Sequence, residues 1–449
     1  MYMVAVQHLG EIKLPENVAG LGKLSYDPLG SRLLIIAPHP DDESLATAGL
    51  IEQARTEDRE VKVVIIMSGD SGARVARRLL GKQTIGPADY RAVARARVRE
   101  SVEAMSKMRL PSRDMVLLGY PDGGLNSLWD INWDYGHLHR GLNGYTRSPY
   151  SFAFQSKAPY CGAGVVSSLS GIIKQYRPTA IIYPNAEDDH HDHWAASAFV
   201  QYTLAKLGYR TNEYTYLVHR RDYPWPPDYA PSGTLDPPSD FDNVDTRWED
   251  VLLSPGEQRL KDKVISLYKV PRLVKEPFMG SFVRRNELLA TTTIRKIEHV
   301  GTYPNPGADP MPGIVDCDPI DDSIRPSPGN SGELGNVSLL VNGPTLWAGV
   351  ETAGNPSDKI TYWFHVRLPG GKLEERVDVE IRNGQASYAG LAINSVVPRT
   401  PPRILMLEHR VWIELPASLL QGQSMLMLSI DSCQWNRHLD RTPWRRYYI

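Results

Sequence analysis

The chain has 449 residues, 41% hydrophobic and 23% charged, enough for a large domain and a smaller companion. Lys and Arg number 50 against 52 Asp and Glu, so no overall basic field draws nucleic acid or an anionic membrane. The three cysteines, Cys161, Cys317 and Cys433, form neither a disulfide framework nor a CxxC metal site, and no stretch reaches the ~20 apolar residues of a membrane span. The opening MYMVAVQHLGEIKLP lacks a basic segment ahead of an apolar run, so no signal peptide is read. A cytoplasmic location is expected, with a mature secreted form as the alternative.

Strand-like and helix-like runs alternate through the first two thirds. Leu33 to Ala37, Val61 to Met67, Met115 to Leu118 and Ala180 to Tyr183 are short and rich in branched apolar residues, as buried parallel strands are. Glu43 to Ala54, Pro87 to Met105, Gly164 to Tyr176 and His193 to Leu207 read as the intervening helices, with Val98, Val102 and Met105 on one face. This order predicts an α/β, Rossmann-like, mostly parallel sheet with helices on both faces. In such sheets ligands sit at the carboxyl ends of the strands.

Residues 301–336 are dense in Pro, Gly, Asp and Ser, without periodicity, and read as a linker. Beyond it, Thr361 to Leu368, Val377 to Ile381, Val411 to Leu415 and Met425 to Ile430 read as strands of an antiparallel, sandwich-like β domain over 337–449. The expected division is therefore 1–300, 301–336 and 337–449, with few contacts crossing the linker and little part for the β domain in the chemical step.

The strongest local signal is Ala37-Pro-His39-Pro-Asp41-Asp42-Glu43, directly after the first strand. A second cluster, Asp188-Asp-His190-His191-Asp192-His193, follows the Ala180 to Tyr183 strand and so lands on the same sheet edge. Alone, the first could be a helix cap or a magnesium-binding acidic pair, and the second a solvated loop. Together they indicate a metal site, and the mixture of His with Asp favours zinc.

The paired segments His39-Pro-Asp-Asp-Glu43 and His190-His-Asp-His193 resemble those of the PIG-L/LmbE-like zinc-dependent de-N-acetylases, over roughly residues 30–290. The resemblance implies zinc bound by His39, Asp42 and His193, with Asp41 as general base. It further implies that His190 stabilises the developing oxyanion, that Asp192 orients or charge-tunes His190, and that Asp122, in Tyr-Pro-Asp-Gly-Gly, contacts sugar hydroxyls. The family usually has Pro where this chain has His191, which leaves His191 as a rival ligand. The activity implied is removal of an N-acetyl group from an amino sugar or glycoconjugate. An amidase acting on a larger or non-sugar amide is the first alternative, and a non-catalytic metal- or carbohydrate-binding protein the second. The partner expected is thus a small-molecule or glycan substrate.

Between Leu125 and Tyr160 the chain makes a poorly periodic excursion holding eight aromatics, from Trp129 to Tyr160. Half are expected to anchor the loop and the rest to form a lid over the metal. Arg91, Arg95 and Arg99 recur on one helical face and read as solvated, His137 and His139 as non-ligands, and Trp444 to Ile449 as packing of the β domain.

Overall fold

The computed structural model describes residues 22–23, 29–239, 241, 246–302, 304–308, 310–318, 325–370, 375–392, 400–435 and 437–449. After a two-residue strand, β1 (Gly22–Lys23), the apolar runs form β2 (Arg32–Ala37) and β3 (Glu60–Met67), paired in parallel. Successive residues of β2 enter different cores: Leu33, Ile35 and Ala37 one, Leu34 and Ile36 the other. A strand apolar at every position must be covered on both faces, and helices do so.

These helices are α1 (Asp42–Thr56), α2 (Ala73–Leu80) and α3 (Pro87–Lys107), with β4 (Met115–Tyr120) after them. Then come α4 (Leu125–Asp130), α5 (Gly162–Tyr176), β5 (Ala180–Pro184), α6 (His191–Leu207) and β6 (Asn212–Tyr216). The unit continues through β7 (Thr246–Leu252), α7 (Pro255–Ile265), α8 (Lys269–Gly280) and β8 (Asn286–Thr292). Sheet order is β1-β7-β8-β6-β5-β2-β3-β4, with β6, β5, β2, β3 and β4 mutually parallel and β8 antiparallel to β6 and β7. On α3, Val98 and Met105 are buried as the periodicity predicts, but Val102 is exposed, and Ser101 and Ala104 complete the inward face. Among the described residues no helix is long and apolar enough to cross a membrane.

The remaining strands form two six-stranded sheets. One contains β9 (Glu298–His299), β10 (Ile314–Asp316), β11 (Leu334–Asn342), β12 (Thr345–Thr352), β16 (Arg403–Leu407) and β17 (Arg410–Pro416). The other contains β13 (Thr361–Leu368), β14 (Glu375–Arg382), β15 (Gln385–Ala392), β18 (Met425–Gln434), β19 (Arg437–Arg441) and β20 (Arg445–Tyr448). Residues of both sheets share one apolar core, including Leu339, Val350, Phe364 and Leu428, which makes the pair a sandwich.

Two expectations about this region change. The described part of 301–336 is not a bare connection: Ile314–Asp316 pairs with β11, and Met311 packs on Trp347 and Trp412. Contacts also cross between the sandwich and the parallel-sheet unit. Trp444 and Met427 enter the parallel sheet's second core, Trp444 lying 5.1 Å from Trp129. Arg376 donates to the carbonyls of Trp129 and Asp130, and Arg445 and Arg446 pair with Glu187 and Glu213. The tail from Trp444 thus packs against the first unit as well as the β sandwich.

Candidate active site

The order in which strands are added reverses between β2, which leads toward β3 and β4, and its parallel neighbour β5, which leads toward β6. Loops leaving the carboxyl ends of such a pair diverge and open a crevice. Residues 38–41 enter it from β2 and residues 185–190 from β5, so both sequence clusters meet across 154 positions.

Three donor atoms converge there. His39 Nδ1 lies 3.0 Å from Asp42 Oδ2 and 3.2 Å from His193 Nε2, and His193 Nε2 lies 3.1 Å from Asp42 Oδ2. Donors bound tetrahedrally at ~2.0–2.2 Å stand ~3.3–3.6 Å apart, so this triangle fits a metal ion with a modest expansion. Each imidazole is backed by a carboxylate on its other nitrogen. His39 Nε2 donates to Asp192 Oδ2 at 3.2 Å, and His193 Nδ1 to Asp188 Oδ2 at 3.1 Å. Such partners fix the tautomer that leaves the inner nitrogen free to ligate. Burial opposes charging of His39, yet Asp122 and Asp42 push its pKa up to about 10; for His193, Asp188 and Asp42 outweigh burial and push it up to about 9. Burial likewise opposes ionisation of Asp42, but the two imidazoles hold it well below the carboxylate range.

Asp41 stands beside the triangle, with its backbone at φ 144°, ψ −29°, where residues other than glycine are strained. Its N–H donates to Glu43 Oε2 at 3.1 Å, and Glu43 is in turn held by the Tyr268 hydroxyl and Ser44. Burial raises the pKa of the Asp41 carboxyl against the pull of Arg97, whose Nη2 lies 3.2 Å from Oδ1. Arg97 also binds Asp122 Oδ2 at 3.2 Å and the Pro40 carbonyl at 3.0 Å. It therefore ties the residue of the Tyr-Pro-Asp-Gly turn to the first motif. That turn uses Gly123 at φ +77° to present its N–H to Asp192 Oδ2 at 3.0 Å.

Asp192 acts on the charge of His190, pulling its pKa upward, and also holds a second set of partners. Its carboxylate binds His39 and the Gly123 and Leu125 amides, while His190 Nδ1 is 4.0 Å away. His190 caps α6, its Nδ1 accepting from the Asp192 N–H at 3.2 Å, which leaves the proton on Nε2. Burial, with His39 and His193 nearby, lowers its pKa to about 2, so the ring is a neutral donor. His191 is exposed and lies outside the triangle.

Several contributors carry no legible signal of their own in the sequence. Asp188 was visible only as part of an acidic run. Arg97 sits among Arg91, Arg95 and Arg99 but on another face; Arg95 and Arg99 are exposed as expected, whereas Arg91 donates to the Asn143 carbonyl. His219, after β6, lies 4.9 Å from the His193 ring and stacks on Phe278. The aromatic excursion does not form the lid. Trp129 and Trp133 are buried against Phe199, Tyr202 and Trp444, and Tyr150 and Tyr160 join a buried network with Asp70 and Asn143. The cavity over the triangle, about 160 Å³, is walled instead by α2 and α8, through Val75, Val274, Phe278 and their neighbours.

Residues 34–203 match the sequence profile of the PIG-L family, described as GlcNAc-PI de-N-acetylase. This segment is a PIG-L family domain. A 1D-myo-inositol 2-acetamido-2-deoxy-alpha-D-glucopyranoside deacetylase from Tsukamurella paurometabola is 27% identical over 170 residues, 37% of this chain and 52% of the relative. The chain thus spans about half the length of that relative. Solved structures similar to this chain include the A40926 pseudoaglycone deacetylase, 15% identical with a TM-score of 0.37, covering 59% of this chain and 97% of that one. The N,N'-diacetylchitobiose deacetylase of Pyrococcus horikoshii is also 15% identical, with a TM-score of 0.38, covering 59% and 86%.

Proposed function

We propose that this chain is a zinc-dependent hydrolase that removes an N-acetyl group from an amino sugar or a glycoconjugate carrying one. The carrying observation is the triangle of His39 Nδ1, Asp42 Oδ2 and His193 Nε2, no side longer than 3.2 Å, with the non-ligating carboxylate of Asp41 beside it. A purely structural metal has no need of a strained base next to it, which counts against a binding-only protein. The cavity, about 160 Å³, is smaller than the ~300–1,000 Å³ of drug-sized pockets and favours a small acyl group over a larger amide. The PIG-L profile match and the names of the relatives point the same way.

Zinc held by His39, Asp42 and His193 supplies Lewis acidity toward the amide carbonyl and lowers the pKa of water. Asp41, which lines the cavity and is held through Oδ1 by Arg97, takes the proton of the attacking water. Its raised pKa makes it a stronger base than a solvated carboxylate. The Nε2–H of His190 donates to the oxygen on which charge develops, needing no net positive charge to do so. Asp41, which then carries the proton taken from water, is the group that returns one to the departing amine. Asp122, held by Arg97 at the cavity wall, is the acceptor for sugar hydroxyls. In this reading residues 1–300 carry the chemistry and 337–449 brace it, in an enzyme placed in the cytoplasm.

The test is metal analysis of the purified chain together with amine release from N-acetylglucosamine derivatives. Stoichiometric zinc and release that stops on chelation are expected. A chain that holds no zinc, or that turns over equally well without it, overturns the reading.

A further inference from the structure

Asp41 is held at its backbone and at its carboxylate, and both holds lead to the same place. Its N–H donates to Glu43 Oε2 at 3.1 Å, and Arg97 Nη2 donates to its Oδ1 at 3.2 Å. The other oxygen of Glu43 accepts from the Tyr268 hydroxyl and, at 3.2 Å, from Ser44 Oγ, which itself lies 2.9 Å from that hydroxyl. Arg97 shares a face of α3 with Glu100, whose two carboxylate oxygens accept the Val270 N–H at 3.0 and 3.2 Å. Tyr268 is the residue that begins α8, and Val270 lies in its first turn. Both routes from Asp41 thus end at the start of the helix that walls the cavity. Tyr268 makes no side-chain cap for α8; its hydroxyl is turned to Glu43, and both side chains are fully buried. Tyr268 also lies outside the PIG-L segment, residues 34–203, so the motif that contains Asp41 does not contain its support.

We propose that Tyr268 is a positioning residue for the base: its hydroxyl fixes Glu43, and Glu43 fixes the Asp41 N–H, which keeps the strained backbone that presents the carboxylate to the cavity. This rests on the reading of Asp41 as general base and deepens it. A residue other than glycine at φ 144° relaxes unless its surroundings hold it. Arg97 holds the end of the side chain, but the backbone itself is held through Glu43. Without the Tyr268 hydroxyl, Ser44 alone remains on Glu43 Oε1, and the Glu43 side chain is free to turn away from the Asp41 amide. Because Tyr268 begins α8, the same contact sets the base against the wall that faces it across the cavity.

The test is Tyr268→Phe, which removes the hydroxyl and keeps the ring in its packing. On the full zinc-loaded chain, kcat for an N-acetylglucosamine derivative should fall by up to about 10²-fold, the cost of an ångström of misplacement, with KM and zinc content unchanged. In an Asp41→Asn background the base is already gone, and the same change should cost nothing further. No loss in the first background, or the same loss in both, overturns the proposal. A second cycle needs no turnover. Asp41→Gly relieves the backbone strain of the wild type, whereas in Tyr268→Phe the backbone has already relaxed. The change that Asp41→Gly makes in the urea unfolding constant should therefore favour the folded state about fivefold more in the wild type than in Tyr268→Phe. Equal changes in the two overturn the proposal. If the wild type releases no amine, the deacetylase reading fails, while the unfolding cycle still decides what Tyr268 holds.

Discussion

Replacing Arg445 by Met should weaken the metal site, although Arg445 is far from the metal donors in sequence. Its Nη2 lies 2.7 Å from Glu187 Oε1 and its Nε 2.7 Å from Asp316 Oδ2, with all three side chains under one tenth exposed. Glu187 precedes Asp188, whose Oδ2 holds His193 Nδ1 and the Val218 and His219 amides. The methionine leaves two buried carboxylates short of a counter-charge, and removing one partner of a buried pair costs about 3–5 kcal/mol. Glu187 keeps Arg220 at 3.8 Å, which places the expected loss toward the lower figure. Urea unfolding at neutral pH, followed by zinc content after dialysis against a weak chelator, reads both effects. Two controls sharpen the test. Neutralising the carboxylates as well, with Glu187→Gln and Asp316→Asn, should restore at least half the loss, since a fully neutral replacement leaves no orphan charge. Acidification should also relieve it: burial already raises the pKa of Asp316, and without Arg445 the Cys317 N–H and Arg295 are left to pull it back, so protonation on acidification stabilises the variant. A loss below about 1 kcal/mol, the worth of an exposed pair, or one indifferent to pH, would refute this reasoning.

Asp188→Asn should lower zinc affinity about 10–100-fold with the fold intact, measured by competition with a chromophoric chelator. Asp41→Asn should keep its zinc and lose about 10²–10⁴-fold in turnover; wild-type rates would remove Asp41 from the role of base. The metal-free protein should lose stability as pH rises through about 9 to 10, because His39 and His193 have folded pKa values raised to about 10 and about 9. Their contribution is fully present below the unfolded value near 6.5 and vanishes once both deprotonate. Urea midpoints at pH 7 and pH 10 check this. Zinc uptake at pH 7 should expel about two protons, read by calorimetry in buffers of different ionisation enthalpy.

Strand β6, Asn212–Tyr216, carries too few apolar residues to announce itself, whereas β2, β3, β4 and β5 were legible because they are apolar runs alternating with helical segments. The two metal-site segments were legible because each stands immediately after such a strand. What the sequence hid depends on long-range geometry. Arg97 belongs to a helix with several arginines, and only the crossing of α3 over the turn at Asp122 singles it out. Helix α8 contains Pro271 and Pro277 and a non-helical Lys275, so no clean period announces the wall of the cavity. The aromatic excursion has the composition of a lid, but Trp129 and Trp133 face Phe199 and Trp444, because the second unit packs on that side. Pro and Gly density between 301 and 336 marked an irregular path and was silent about where that path is anchored.

The backbone of Asp41 bears on how such a protein responds to selection. A residue held at φ 144° costs of order 1–3 kcal/mol, and glycine adopts that conformation freely. The restraint from Glu43 and Tyr268 keeps a conformation that the chain would relax if it were released. Glycine at this position would also remove a poorly solvated carboxylate, and Arg97, which loses that pair, keeps Asp122, so the relief of strain should raise the unfolding midpoint while turnover is abolished. Stability and catalysis therefore pull in opposite directions at this residue. A library screened only for heat resistance would enrich variants that have discarded the base, and only an assay for released amine would expose them.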